Sequence, residues 1–514
     1  MPSGLTFSEA PPRAFTGLLS LRQVTKCMRF PGYSLVIGLF IVVGYSTCAP
    51  PPPAPPAVFG PTPTDAQLEW MQMETNAFVH FTTNTFTNKE WGYGDESPEI
   101  FNPTELDVDQ WMNVFREVGF KGVILTGKHH DGFVLWPSKY TEHSVESSPW
   151  EGGEGDMVKR VSESARAHGM KFGIYLSPWD RNRADYGDSS YVTYYRNQLA
   201  EVFDNYGPIF EMWFDGANGG DGHYGGADSV RSINGRYYYD WPRTIAMVRD
   251  IQPEPHTIVF SDAGPDIRWV GNERGFVGDP NWNTIDPDTL YAGKAGIEDL
   301  LNHGTAGADT WMPAEVDVSI RPGWFYHPEQ DDAVKTPEEL FDIYLTSVGR
   351  GSVLLLNVPP DRRGLIHEND VASLRGWKRL IDSTFATDLT EAAVASVDNV
   401  RGDHNHYGAV NLLDDDPDTY WATDDSVRSA RITVNLLEPT TVRYVRLQEY
   451  LPLGQRIAAF RILADGDGGE RVIGSGETVG YQRILPVEET TTTRLIVEIT
   501  ESLAPPTLSR LSVY

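Results

Sequence analysis

The stretch Glu211-Met212-Trp213-Phe214-Asp215-Gly216 decides how this chain is read. It follows a helix-like run closed by Tyr206-Gly207-Pro208, and its apolar residues predict a short buried strand. The strand delivers Asp215 at its C-terminal end, beside a glycine that turns the chain. Barrels of alternating strands and helices carry their catalytic groups at that end of the strands. An Asp between strand and loop is equally a common turn or cap residue, so Asp215 takes its meaning from its neighbours.

Working outward, strand-like and helix-like runs alternate from about residue 65 to 385. Ala77-Phe78-Val79-His80-Phe81, Gly122-Val123-Ile124-Leu125-Thr126 and Lys171-Phe172-Gly173-Ile174-Tyr175-Leu176 predict strands before the Asp215 strand. Thr257-Ile258-Val259-Phe260, Asp266-Ile267-Arg268-Trp269-Val270-Gly271 and Ser352-Val353-Leu354-Leu355-Leu356-Asn357 predict strands after it. Between them, runs such as Val108 to Phe120 carry apolar residues at helical spacing. Such alternation implies a parallel sheet with crossover helices, and about seven or eight units favour a closed (β/α)8-like TIM barrel. Residues 217–240 and 272–334 read as long loops over its active end.

Beyond Thr384 the pattern changes. Residues 391–514 contain short alternating strands such as Ile432-Val434-Leu436 and Leu495-Val497-Ile499, which predict an all-β jelly-roll or β-sandwich domain. At the other end, residues 1–48 read as a targeting segment. Arg29 precedes the apolar run Leu35 to Val43, too short to span a bilayer comfortably, and Tyr45-Ser46-Thr47-Cys48 resembles a bacterial lipobox. The expectation is an exported protein, a periplasmic or cell-surface lipoprotein whose membrane attachment is the lipid on Cys48. Residues 49–64 form a Pro-rich linker, about 3 Å per residue if extended.

Within its 514 residues the chain carries a formal charge of −30, which argues against nucleic acid and anionic membrane surfaces as partners. The two cysteines, Cys27 and Cys48, both fall in the targeting segment, so no disulfide is expected in the mature protein. Oligomeric state is not legible.

Several predicted strand ends carry polar groups suited to one pocket: His80, then His129 and His130, then Tyr175, then Asp215. All strand-to-helix junctions of a barrel face one end, so these residues converge although distant in sequence. Trp91, Trp136, Trp213 and Trp324 can supply apolar faces for a sugar ring, or simply fill the core. A metal hydrolase would place a His-x-His pair on the first strand, whereas Val79 and Phe81 flank a single histidine. A lectin would use the same set only to bind. A glycosidase needs two carboxyls, of which Asp215 supplies one.

Phe78-Val79-His80-Phe81, Glu90-Trp91, Lys128-His129-His130-Asp131-Gly132-Phe133 and Trp213-Phe214-Asp215-Gly216 together resemble the motifs of family 29 glycoside hydrolases, the retaining α-L-fucosidases. Gly264 to Glu273 and Ser319 to His327 are similar to the branch acting on α-1,3/1,4-linked fucose in Lewis-type glycans. This resemblance implies Asp215 as nucleophile and Glu273 as general acid/base. It implies His80, Glu90, Trp91, His129, His130, Tyr175 and Trp213 as the fucose-binding set, with Trp324 near the C6 methyl. Glu315 is the reserve acid/base or a contact to the neighbouring sugars. No cofactor is required. The alternatives are a fucosidase of broad or α-1,2 specificity and a non-catalytic fucose-binding protein. The segment Asn411 to Thr423 makes the C-terminal domain resemble discoidin-like, family 32 carbohydrate-binding modules. That resemblance implies a structural Ca²⁺ near Asp415 and Asp418, against a plain solvated acidic loop.

Overall fold

Eight parallel strands close on themselves: β1 Thr75–Val79, β2 Gly122–Lys128, β3 Lys171–Leu176, β4 Glu211–Trp213, β5 Ile258–Ser261, β6 Ile267–Trp269, β7 Ala314–Ser319 and β8 Val353–Asn357. Each pairs with its sequence neighbours and β8 pairs with β1, aligning Ala77 with Leu356. The computed structural model describes residues 51–514 apart from 254, 255 and 467. The expected targeting segment, with Cys27 and Cys48, therefore lies outside the described residues.

Burial on both faces explains why these strands read as apolar runs. Phe78, Ile124, Tyr175, Trp213, Phe260, Ile267 and Leu355 pack together inside the barrel. Their alternates, among them Val79, Leu125, Ile174, Met212, Val259 and Leu356, pack outward under the helices. Those helices start and stop on local signals. Val108–Val118 is capped by Asp107, which accepts from Gln110 N–H, and closes on Gly119 at φ +100°. Pro337–Thr346 opens on a Thr336/Glu339 capping box with proline at its first position.

Three details depart from the sequence reading. The region 272–334 is not all loop: Ala314–Ser319 is strand β7, whose Glu315 and Asp317 alternate with outward Val316 and Val318. The barrel interior buries both carboxyls. Residues 217–240 contain a two-stranded hairpin, Gly219–Gly222 with Ser229–Ser232. Finally, β5 and β6 are joined by only the five residues from Asp262 to Asp266, without a crossover helix.

A long helix, Glu368–Thr384, leads from the barrel into an all-antiparallel β domain whose first strand is Val394–Val397. Its two longest strands, Ala430–Glu449 and Arg483–Ser502, pair along their length with register shifts between Asn435 and Thr440 and between Val442 and Tyr444. Such irregularities bend long strands. This domain grips the segment that follows Glu273. Thr478 Oγ accepts from Asn281 N–H at 2.8 Å, Gln455 Oε1 accepts from Asn283 N–H at 2.8 Å, and Arg483 pairs with Asp279.

Part of the Pro-rich stretch is also bound to it. Tyr407 Oη donates to Pro53 O at 3.1 Å, Arg401 to Ala54 O at 2.6 Å and Arg456 to Ala57 O at 2.7 Å.

Candidate active site

The C-terminal ends of the strands open on a pocket of about 230 Å³, lined by His80, Trp91, His129, His130, Tyr175, Trp213, Asp215, Glu273 and Trp324. Of the expected site residues, only Glu90 and Glu315 lie outside its lining. Phe78, Asp262, Trp269 and Asp317 line it as well.

Asp215 stands two residues past β4 with its side chain 23% exposed. Tyr175 Oη donates to its Oδ2 at 2.8 Å and Ala217 N–H donates to its Oδ1 at 2.6 Å, so both oxygens are oriented. Burial, helped by the Asp215 charge, pushes the Tyr175 phenol well above its ordinary range. Tyr175 is therefore a donor throughout the working pH range. Gly216 follows it in close approach to a neighbouring carboxyl: a Cβ there would sit 1.9 Å from Asp262 Oδ2.

The histidines form one wall. His80 Nδ1 lies 2.8 Å from Asn357 Oδ1, while the Asn357 amide donates to Ser319 Oγ at 2.9 Å and to Trp324 O at 2.8 Å. With its amide hydrogens committed, Asn357 accepts from His80, which places the proton on Nδ1 and leaves Nε2 as an acceptor. Burial lowers the His80 pKa to about 3. His129 lies against His130 at 4.1 Å between ring centroids, and burial with mutual repulsion holds it well below the usual histidine range.

His130 Nδ1 is 2.7 Å from Ser177 Oγ, whose own hydrogen goes to Trp179 O. Its Nε2 stops 3.8 Å from Asp215 Oδ2, beyond direct hydrogen bonding. Asp131, which accepts from Thr83 Oγ at 2.6 Å and from Phe133 N–H at 3.1 Å, pins the turn carrying both imidazoles.

Glu273 stands on the exposed rim after β6. Its Oε2 accepts from Trp324 Nε1 at 3.2 Å. Although the residue as a whole is exposed, its carboxyl is partly withdrawn from solvent, and its pKa is raised chiefly by that desolvation and further by the charges of Asp215 and Glu90, against the opposing Trp324 hydrogen bond. The Trp324 ring lies 5.2 Å from the His80 ring, so one indole links the histidine wall to Glu273. Glu90 holds Trp324 in turn: its carboxylate accepts from Trp324 N–H at 2.8 Å and Phe325 N–H at 3.3 Å, and pairs with His327. A Cβ at position 323 would approach Glu90 Oε1 to 2.2 Å, so a side chain there would displace that carboxylate. Trp91 is the exposed lip, 5.4 Å edge-on to His130.

Glu315 lies outside the pocket lining. It is fully buried beneath the floor, accepting from Trp213 Nε1 at 2.9 Å. Asp317, two residues along β7, is the carboxyl of that strand that reaches the pocket. Trp269 Nε1 donates to it at 2.8 Å, and burial with the Glu273 charge raises its pKa well above the usual carboxylate range. Asp262 shares the strand-end position of Asp215, and burial raises its pKa to about 6 despite a hydrogen bond from Gly293 N–H. Period-two alternation in Ala314–Ser319 would have located Asp317. The strand-end rule would have located Asp262.

In the C-terminal domain the acidic turn closes on its own residues. Asp415 pairs with Arg510 at 2.8 Å, Asp414 accepts from Thr419 Oγ at 2.8 Å, and Asp416 accepts from Asp418 N–H at 3.0 Å. Among the described residues no three His, Cys, Asp or Glu side chains converge as a metal site.

Two carboxyls, a histidine wall and a tryptophan rim at the strand ends of a barrel define a glycoside hydrolase site. Comparison with known proteins narrows the class. The sequence profile of the α-L-fucosidase family matches residues 57–379. Alpha-L-fucosidase 1 of Arabidopsis thaliana is 37% identical over 488 residues, covering 93% of this chain and 92% of the plant protein. A glycoside hydrolase 29 family member from an unknown rumen bacterium superposes with a TM-score of 0.80 at 39% identity, covering 89% of this chain and 78% of that one. The Ruminococcus gnavus GH29 fucosidase E1_10125, solved in complex with fucose, superposes with a TM-score of 0.80 at 32% identity, over 90% and 96% of the two chains. The chain belongs to the α-L-fucosidase family, glycoside hydrolase family 29.

Proposed function

We propose that this α-L-fucosidase is a retaining exo-enzyme that removes terminal α-1,3/1,4-linked L-fucose from branched, Lewis-type oligosaccharides and glycoconjugates. The observation that carries the reading is that Asp215 and Glu273 line one pocket of monosaccharide size. In a double displacement Asp215 attacks C1 while Glu273 protonates the leaving oxygen. Glu273 then takes a proton from water, which releases fucose from the Asp215 ester. The two carboxyls differ as these roles require: Asp215 is oriented by two donors, and Glu273 has its pKa raised by burial. His80 Nε2 is an acceptor for a sugar hydroxyl, and the Trp324 ring offers an apolar face to the C6 methyl. An analogue lacking the matched hydroxyl would leave those buried groups unpaired.

The linkage rests on the Gly264–Glu273 and Ser319–His327 motifs. It is tested by following fucose release from a Lewis-type trisaccharide and from an aryl α-L-fucoside in parallel. Preference for the trisaccharide supports the assignment; preference for the aryl fucoside sinks it. Fucose binding without release from either substrate would favour a non-catalytic sugar-binding protein, a role the presence of both carboxyls argues against.

Export and lipidation at Cys48 belong to the same reading, on sequence alone. They are tested by incorporation of a labelled fatty acid that Cys48→Ser abolishes. The C-terminal domain buttresses the barrel in this account, supported by its hold on residues 279–283.

A further inference from the structure

Beneath the pocket floor the barrel interior holds two carboxyls that this reaction does not use. Glu211 opens β4 and Glu315 lies on β7, and both are fully buried. Each has one oxygen capped by an indole. Trp70 Nε1 donates to Glu211 Oε2 at 2.8 Å, and Trp213 Nε1 donates to Glu315 Oε2 at 2.9 Å. The other two oxygens, Glu211 Oε1 and Glu315 Oε1, have no donor. The carboxyls lie within hydrogen-bonding reach of each other.

Two ionised carboxylates in such a place would be costly, and the surroundings offer no relief. The helix Asp65–Met71 contributes the neutral Trp70 indole. The inward residues of neighbouring strands, Ile258 and Phe260 on β5, Ile267 on β6, and Val353 and Leu355 on β8, carry no charge. Tyr175 on β3 adds a phenol, and Asp317 on β7 adds a third acidic group whose charge acts against ionisation of Glu315. A single proton shared between the two carboxyls would supply the missing donor and remove one charge.

The consequence reaches the sugar through Trp213. Its indole N–H points down to Glu315, and its ring stacks on Phe260 at 4.0 Å and lines the pocket. We propose that Glu211 and Glu315 hold one proton between them and, through the Trp213 indole, act as positioning residues that fix the floor of the sugar pocket. The inference rests on the reading that this pocket takes the sugar. Loss of the shared proton in alkali leaves two buried negative charges, which separate and release Trp213 from its anchor.

The test begins without substrate. Tryptophan emission of the unliganded full-length protein is titrated over about pH 5 to 9, the range a buried carboxyl pair can reach. Wild type is expected to show a transition that is absent from Trp213→Phe and from Glu315→Gln, whose amide supplies the missing donor permanently. In kinetics on an aryl α-L-fucoside, Glu315→Leu is expected to raise KM about tenfold or more with less effect on kcat, because it orphans the indole N–H. Glu315→Gln should recover most of that loss. No transition in wild type, or the same transition in Glu315→Gln, overturns the shared proton. A normal fluorescence result with KM unchanged in Glu315→Leu overturns the positioning role. Failure of all fucosidase activity leaves the fluorescence result standing, so the two readings fail separately.

Discussion

Tyr175 donates its phenolic hydrogen to Asp215 Oδ2 at 2.8 Å from the adjacent strand, aligned by the pairing of Tyr175 with Trp213. The register of β3 against β4 therefore orients the proposed nucleophile. Tyr175→Phe removes a donor to a charged group, an interaction worth about 1.5–3 kcal/mol, so kcat/KM should fall roughly 10- to 150-fold. Steady-state kinetics on an aryl fucoside check this, with a near-native melting temperature as the control for folding.

As the proposed general acid, Glu273 should set the alkaline limb. Its pKa is raised, and the acid must be protonated to act, so activity persists above the pH at which an ordinary glutamate is ionised. Trp324→Phe removes the indole hydrogen bond that opposes this shift. The alkaline limb of kcat/KM should then move to higher pH. Glu273→Ala should lose about 10²- to 10⁴-fold on a trisaccharide and far less on a fucoside with a good leaving group.

His80 behaves oppositely to an exposed histidine. With its pKa lowered to about 3, the ring stays neutral from neutrality down to about pH 4 and keeps Nε2 as an acceptor. Affinity for fucose as a competitive inhibitor should show no histidine step near pH 6.5. The sign for stability follows from the same shift. The unfolded chain binds a proton below about pH 6.5 that the folded site refuses, so stability is full above that pH and is lost as pH falls toward 3. His80→Gln should flatten the acid decline of the melting temperature.

Gly216→Ala tests the close approach beside the proposed nucleophile. The new Cβ would lie 1.9 Å from Asp262 Oδ2, so the Asp262 carboxyl or the turn after Asp215 must move. We expect a loss of about 100-fold in kcat, since small misplacements at a reacting centre cost that much. Asp262→Ala in the same background should restore part of it by vacating the space.

The barrel was legible where strands are buried on both faces. Gly122–Thr126 and Val353–Asn357 announce themselves because apolar residues fill both the interior and the helix layer. Strand β7 was hidden by the carboxyls it buries, since hydrophobicity marks a strand only when its inward residues are apolar. The polar character of Glu315 suggests a ligand contact, although the residue is buried beneath the pocket floor with Trp213 donating to one of its oxygens. Asp215, Tyr175 and the histidines could be placed because barrel geometry gathers strand ends. Asp317 follows only once Ala314–Ser319 is read as a strand, and Asp262 only once the strand-end rule is applied to the strand before it.

The most direct test of the central claim is the stereochemistry of release. A Lewis-type trisaccharide is mixed with the purified enzyme and the first-formed fucose is followed by proton NMR before mutarotation. The account predicts α-L-fucose as the initial product, with no release by Asp215→Ala. Initial β-L-fucose, or undiminished release by Asp215→Ala, would contradict it.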